Sequence, residues 1–174
     1  IDTYSVPLST LVKEFKLEVE YASADFDSIR LTVEDVSRPG LQLAGFFDHF
    51  EPLRLQVMGN AEMSYTAKLG SEERSRIFDR LFSYKFPALL IARNIQPSAE
   101  CIEMAKKHNV TILRSAEATS TIISTIIIRV PLAYILAELT KNETYPHGQP
   151  IALFGSLMIS WVLGMVLSII VYAI

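Results

Sequence analysis

The chain has 174 residues, with 16 Lys and Arg against 19 Asp and Glu, and a net charge of −3. Only Arg129, Lys141, Glu138 and Glu143 are charged after residue 117, so 14 of the bases and 17 of the acids precede that point. The near balance excludes a basic stripe for nucleic acid and a polybasic segment for anionic lipid.

The first third of the chain predicts one helix and three strands. Ser9 or Thr10 suits the N-cap of a helix whose apolar stripe is Leu11, Val12 and Phe15. Alternating apolar and polar residues predict strands buried on one side at 16–21, 29–33 and 53–58. Between the last two strands, Pro39-Gly40 suits a type II turn in which Gly40 takes a positive φ.

The next segment predicts a small parallel α/β layer. A helix begins at Ser71, which suits an N-cap before two acids. Short apolar runs at 88–92 and 110–113 read as covered strands, and a helix at 98–108 joins them. Strand, helix and strand at this spacing form a βαβ unit. The sequence therefore predicts an α/β domain over residues 1–117.

No residue of this domain is assigned to catalysis, to a cofactor or to a metal. The sequence has neither GxxxxGK[ST] nor GxGxxG, the loops that bind nucleotide phosphates. Asp48-His49 has no nucleophile nearby and is interpreted as structural. Cys101 is the only cysteine, which excludes an internal disulfide, and it is interpreted as a buried structural thiol.

Several blocks of this domain together resemble the N-terminal domain of bacterial HPr kinase/phosphorylase, over about residues 4–120. The most specific block is Arg38-Pro39-Gly40-Leu41 with Leu43, Ala44 and Gly45. The other blocks occur in the same order, and they are Tyr4–Phe15, Ser37–Phe50, Arg54–Gly59, Leu81–Tyr84, Pro87–Arg93 and Leu113-Arg114.

The resemblance implies a small α/β domain similar to the first domain of the Mur peptidoglycan ligases. It implies a role in homo-oligomer assembly and in carbon catabolite regulation, without catalytic residues of its own. In that family the phosphate-binding loop lies in a C-terminal domain, and contact with HPr would require that domain. Where the family continues towards it, this sequence turns apolar.

Residues 118–174 are predicted to form a two-helix transmembrane hairpin. The apolar stretch 118–139 is interrupted by Arg129 and Pro131, and its alternative is a core segment of a globular fold. Residues 151–174 carry no charged side chain and would rise about 36 Å as a helix, enough to cross a bilayer. Small residues suited to helix packing recur at Gly155, Ser160, Gly164 and Ser168.

The tail resembles the last two helices of multidrug and toxic compound extrusion (MATE) transporters, through the blocks 128–136 and 158–170. The likeness implies a bacterial cytoplasmic membrane, with the front domain in the cytoplasm. Three hypotheses remain open. The chain is a regulatory domain tethered to the membrane, a fragment of an enzyme that lost its catalytic half, or a transporter terminus with a fused domain. The change at 119–125 favours a chimera of two genes.

Overall fold

The computed structural model describes residues 5–31 and 36–126, together with residues 132, 135, 136, 139, 140, 158, 159 and 162. The chain divides into two compact units, Ile1–Ile122 and Ile123–Ile174. The helices and strands of the described part, in chain order, are β1 (Val6–Pro7), α1 (Leu8–Glu14), β2 (Glu18–Tyr21), β3 (Arg30–Leu31), β4 (Val36–Ser37), α2 (Gly40–Leu43), β5 (Leu55–Met58), α3 (Asn60–Ala67), α4 (Ser71–Phe82), β6 (Ala88–Ile91), α5 (Ala99–His108), β7 (Thr111–Arg114) and α6 (Thr119–Ser124).

The main sheet of the first unit has five described strands in the order β2-β7-β6-β5-β4. Strands β4 to β7 are parallel, and β2 pairs antiparallel with β7 at one edge. Strands β1 and β3 form a separate antiparallel pair. The predicted α/β class and the parallel unit β6-α5-β7 are therefore confirmed.

The hydrophobic core lies between this sheet and helices α2, α4 and α5. Met58, Leu89, Ile91 and Ile112 of the sheet pack in one cluster with helical residues such as Phe78. The intervening strand residues, Leu55, Val57, Leu90 and Leu113, are buried as well. Each of the three central strands is therefore covered on both faces, as continuous apolar runs require.

Three strand and helix predictions were wrong in detail. Strand β2 does not bury one face, because Val19 is 43% exposed and the register shifts between Val19 and Tyr21. Strand β5 begins at Leu55, and Leu53 lies outside it, 79% exposed. Helix α1 begins after Pro7 as its N-cap, so Ser9 and Thr10 lie inside the helix.

The predicted positive φ at Gly40 was also wrong. Gly40 is the first residue of α2, and the positive φ, +94°, belongs to Gly45 just after the helix. The Gly45 N–H donates to the Gln42 carbonyl (2.9 Å) and the Phe46 N–H to the Leu41 carbonyl (3.0 Å). This pair of bonds is the Schellman motif, in which a left-handed residue ends a helix.

The predicted membrane hairpin lies largely beyond the described residues. Within the part of the chain that the structure describes, no helix is long and apolar enough to cross a membrane. The proposed packing residues Gly155, Ser160, Gly164 and Ser168 all fall outside that part.

Gly40, which begins α2, and Gly45, which follows it, provide a matched pair of substitutions. We expect Gly45→Ala to lower the free energy of unfolding by about 1 kcal/mol, because a Cβ at positive φ is strained. Gly40→Ala should be neutral, since its Cβ would meet only Glu62 Oε1 at 3.8 Å. Urea unfolding of the full chain followed by circular dichroism measures both, and equal effects would contradict the Schellman assignment.

Candidate functional site

The carboxyl ends of the parallel strands carry a cluster built around a buried carboxylate. Arg38 follows β4, Gly59 follows β5, and Glu62 lies in the first turn of α3. The Arg38 Nη2 donates to Glu62 Oε2 (2.8 Å), and the Gly59 backbone N–H donates to the same oxygen (2.9 Å). Glu62 is buried, whereas Arg38 is half-exposed. The carboxylate thus caps α3 and holds Arg38 at the sheet edge.

The surroundings of Glu62 act on its pKa in opposite directions. Burial raises the pKa of this carboxyl, but the hydrogen bonds from Arg38 and from the Gly59 N–H favour the ionised form and outweigh it. The net result is a pKa below the ordinary value of 4.5. Glu62 is therefore ionised at neutral pH and forms a permanent partner for Arg38.

Gly59 is the one position of the cluster where a side chain has no room. A Cβ there would lie under 3.0 Å from the Thr119 hydroxyl oxygen and 3.6 Å from Arg38 Nη2. The first turn of α6 thus packs directly on the β5–α3 connection. A side chain at this position would require the Thr119 hydroxyl to move, whereas the extended backbone of Gly59 itself suits any residue.

A second charged cluster lies at the other end of the same sheet edge. The side chain of Arg114, the last residue of β7, is nearly buried. Its Nε donates to Glu20 of β2 (2.6 Å), and Nη2 donates to Glu18. Nη1 donates to the side chain of Asn94, just after β6. One guanidinium therefore joins the edge strand β2, the end of β7 and the β6–α5 connection.

The block Arg38–Gly45 divides between core and surface. Pro39 and Leu43 are buried, whereas Leu41 and Ala44 are exposed. Leu43 belongs to the core cluster between sheet and helices. Within the block, Arg38 thus forms an ion pair with Glu62, Leu43 packs in the core, and Gly45 ends α2.

Exposed apolar side chains occur within this block, in the residues after it and just after α4, and we call this set the aromatic patch. Its exposed members and their exposed fractions are Leu41 (64%), Phe46 (47%), Leu53 (79%) and Tyr84 (41%). Phe47 stacks on Tyr84 with ring centroids 4.9 Å apart, and Phe50 meets Tyr84 edge-on at 5.2 Å. The Arg80 guanidinium lies 4.5 Å from the Phe47 ring centroid. These contacts hold Phe47 and Phe50 against the C-terminal end of α4 and the residues after it.

No group of three or more His, Cys, Asp or Glu among the described residues could hold a metal ion. Asp48 and His49 lie exposed in a turn. Cys101 is buried, as predicted, and burial raises the pKa of its thiol to about 12, so it is a thiol and not a nucleophilic thiolate at neutral pH.

Sequence reasoning missed Glu62 and the partners of Arg114. Helix α3, which carries Glu62, has almost no apolar periodicity, so no helix was predicted there. The spacing Gly59-x-x-Glu62 before a helical segment was the available signal, because Glu three residues after an N-cap is typical of a capping box.

These features define a class of protein, a parallel-rich α/β domain with structural ion pairs at its sheet edge and an exposed aromatic patch. Residues 6–129 match the family described as the HPr serine kinase N terminus. The chain belongs to this family. The match continues to residue 129 and so includes the first part of the segment predicted as a membrane span.

Whole proteins of the family show the same similarity. HPr kinase/phosphorylase of Caldanaerobacter subterraneus subsp. tengcongensis is 36% identical over 150 residues, which cover 86% of this chain and 47% of the relative. The enzyme of Clostridium botulinum is 36% identical, with 83% and 45% covered, and that of Streptococcus equinus is 33% identical, with 87% and 47% covered. The chain thus spans somewhat less than half the length of these relatives.

One solved structure shows a more distant likeness. It is the crystal structure of the CBS and DRTGG domains of the regulatory region of Clostridium perfringens pyrophosphatase, complexed with the activator diadenosine tetraphosphate. The TM-score is 0.47 and the identity 20%, with 69% of this chain and 45% of that chain covered. At this distance the likeness bears on neither mechanism nor ligand. The resemblance of the tail to MATE transporters finds no support in the comparisons.

Glu62→Gln tests the electrostatic role of the carboxylate. We expect the variant to be less stable than the wild type by about 1 kcal/mol at pH 7, because a charge-assisted bond to Arg38 becomes a neutral one. Since the folded pKa of Glu62 is lowered, its contribution is present above pH 4.5 and is lost as the pH falls through the folded value.

The difference between wild type and Glu62→Gln should therefore shrink in acid. Urea unfolding between pH 7 and pH 3 measures it, with Glu103→Gln on the exposed face of α5 as the control. A difference that does not change with pH would rule out the ion pair as its cause.

Proposed function

We propose that residues 6–129 form a non-catalytic regulatory and assembly domain of the HPr kinase/phosphorylase type, which acts in carbon catabolite regulation. Family membership supports this proposal. So does the sequence, whose 174 residues contain no GxxxxGK[ST] phosphate-binding loop. Contact with HPr would then depend on the phosphate-loop domain of the relatives. The same kinship favours this function over that of a transporter terminus.

The finer fold assignment belongs to the same proposal. We infer a likeness to the first domain of the Mur peptidoglycan ligases, as the family resemblance implies. Four parallel strands in sequential order, with one antiparallel edge strand, are compatible with it.

The aromatic patch is the observation that carries the assembly role. Four large apolar side chains, each more than two-fifths exposed, lie in the connection between β4 and β5 or just after α4. Exposed apolar patches of this kind mark surfaces that other proteins cover. Large apolar residues exposed singly are normal on monomeric proteins, whereas the aromatic rings of Phe47, Phe50 and Tyr84 are in mutual contact here.

The charges around the patch favour a second copy of this chain as the partner. Acidic Asp48 and Glu51 and basic Arg54, Arg80 and Lys85 belong to the same two segments. In a two-fold interface the same surface of each copy contacts the other copy. A patch that carries both acidic and basic residues can therefore pair its acids with the bases of the second copy. A partner of strongly acidic or basic surface would match this mixture less well.

Charge introduced into the patch tests the proposal. We expect the full chain to associate at micromolar concentration, and Phe46→Glu with Leu53→Glu to weaken that association at least about tenfold, because buried unpaired carboxylates oppose the interface. Sedimentation velocity in mild detergent measures it. Val19→Glu, at an exposed site on β2, is the control. A monomeric wild-type chain, or equal loss in the control, would contradict the assembly role.

Membrane attachment is a separate proposal that rests on sequence alone. Residues 151–174 have no charged side chain and the length of a bilayer span. We expect the full chain, expressed in bacteria, to stay in the membrane pellet after alkaline carbonate extraction. Replacement of Leu163 and Val166 by Asp should release it, since charges at the centre of a span oppose insertion. Release of the unmodified chain would overturn the attachment and leave the domain assignment intact.

A further inference from the structure

A cleft of about 430 Å³ lies between α3 and the connection from β6 to α5. Both elements start at the carboxyl ends of parallel strands, where α/β folds place their ligands. Clefts of roughly 300–1,000 Å³ hold small ligands in proteins. The apolar side chains that line it are Met63, Ala67 and Ile95, and its polar side includes Ser64, Arg74 and Gln96.

Arg74 is the cationic side chain among the described residues that line the cleft, and its ion pair with Glu100 (3.1 Å) helps to hold it in a fixed position. Its Nε donates to the Thr66 carbonyl (2.9 Å) and its Nη2 to the Leu69 carbonyl (2.8 Å). Its Nη1 donates to Glu100 (3.1 Å). A guanidinium has five N–H bonds, so two remain without a partner among the described residues. The side chain is therefore oriented before any ligand arrives.

Glu100, the acid paired with Arg74, already accepts hydrogen bonds on both of its carboxylate oxygens. Glu100 accepts from the Ser71 hydroxyl (2.7 Å) and from Arg74, and these bonds, with that of its own backbone N–H, lower its pKa to about 2. No acidic side chain is among the described residues that line the cleft. The charged and amide groups facing the cleft are therefore mainly donors.

Gln96 contributes further donors. With the amide turned so that its oxygen faces Arg114, that oxygen would accept from Nη1 and Nη2 (3.0 and 3.1 Å), and the NH₂ group would be left for another partner. Arg114 thereby anchors the cleft wall. The same connection contains two successive left-handed residues, Arg93 and Asn94 (φ 59° and 56°), whose N–H groups donate to the carbonyls of Glu117 and Ser115. The wall is thus held in place before binding, which lowers the entropic cost of a complex.

We propose that this cleft binds small organic anions, molecules with a phosphate or carboxylate group joined to an apolar body. The donors of Arg74, Gln96 and Ser64 meet the anionic group. Met63, Ala67 and Ile95 cover the apolar body. Neither part alone suffices, because the ligand must match both walls. This inference is independent of the assembly role.

Three probes separate these contributions. They are phenyl phosphate, which has both parts, inorganic phosphate and phenol. Each is titrated into the full chain labelled with ¹³C at Met and Ile methyl groups, with signals assigned by Met63→Leu and Ile95→Val. We expect phenyl phosphate to shift the Met63 and Ile95 methyl signals in a saturable way. Its affinity should be at least about tenfold higher than that of either other probe.

Two substitutions on α3 locate the binding. Ala67→Phe fills the cleft and should reduce the affinity for phenyl phosphate at least about tenfold. Ala61→Phe makes the same change on an exposed position of the helix outside the cleft and should leave it unchanged. Unshifted Met63 and Ile95 signals, equal affinity for inorganic phosphate, or binding that survives Ala67→Phe would each overturn the proposal. Benzoate in place of phenyl phosphate then distinguishes a carboxylate from a phosphate preference.

Discussion

The carboxyl edge of this sheet depends on the pairing of one nearly buried guanidinium. Arg114 donates hydrogen bonds to two other segments, to Glu18 and Glu20 on β2 and to Asn94 beyond β6. A charge in that position is tolerated only when its partners are complete, because an unpaired buried ion is strongly destabilising. The edge strand, the end of β7 and the β6–α5 connection must therefore form together. The wall of the cleft between α3 and that connection is one result.

The connection between β4 and β5 links the two ends of the sheet. It leaves the carboxyl end at Arg38, which Glu62 holds, and the Schellman motif at Gly45 directs it back towards the start of β5. Phe46 and Leu53 of the aromatic patch follow that turn. The Glu62 and Arg114 clusters thus lie at the carboxyl ends of the strands, whereas Phe50 and Leu53 come shortly before the amino end of β5. Between two parallel strands the chain must return from the carboxyl edge of the sheet to the amino edge before the next strand can begin. This return accounts for the placement.

The accuracy of the sequence predictions depended on whether the controlling interaction was local. Strand β6 and helix α5 were predictable, because a continuous apolar run and the N-cap Ser98 lie within each element. The burial of strand β2 was predicted wrongly, because its acidic side chains pair with Arg114, which lies about a hundred residues later in the sequence. Helix α3 has nearly no apolar face, and its stability comes from the Glu62 cap and tertiary packing. The cleft is formed by segments about thirty residues apart in the sequence, and the apolar periodicity of a single element cannot predict such a juxtaposition.

The boundary near residue 117 shows what a change in composition can and cannot establish. A segment without charged side chains is predicted to be buried away from water. It can be buried either in a bilayer or in a protein core. The family match extends through residue 129, past the point where the charge disappears. Alignments of 144 to 151 residues in a chain of 174 must reach residue 144 at least. The family match and the composition therefore place the end of the domain at different residues. The match reflects shared ancestry, whereas the composition reflects the preference of the side chains for water or for an apolar environment.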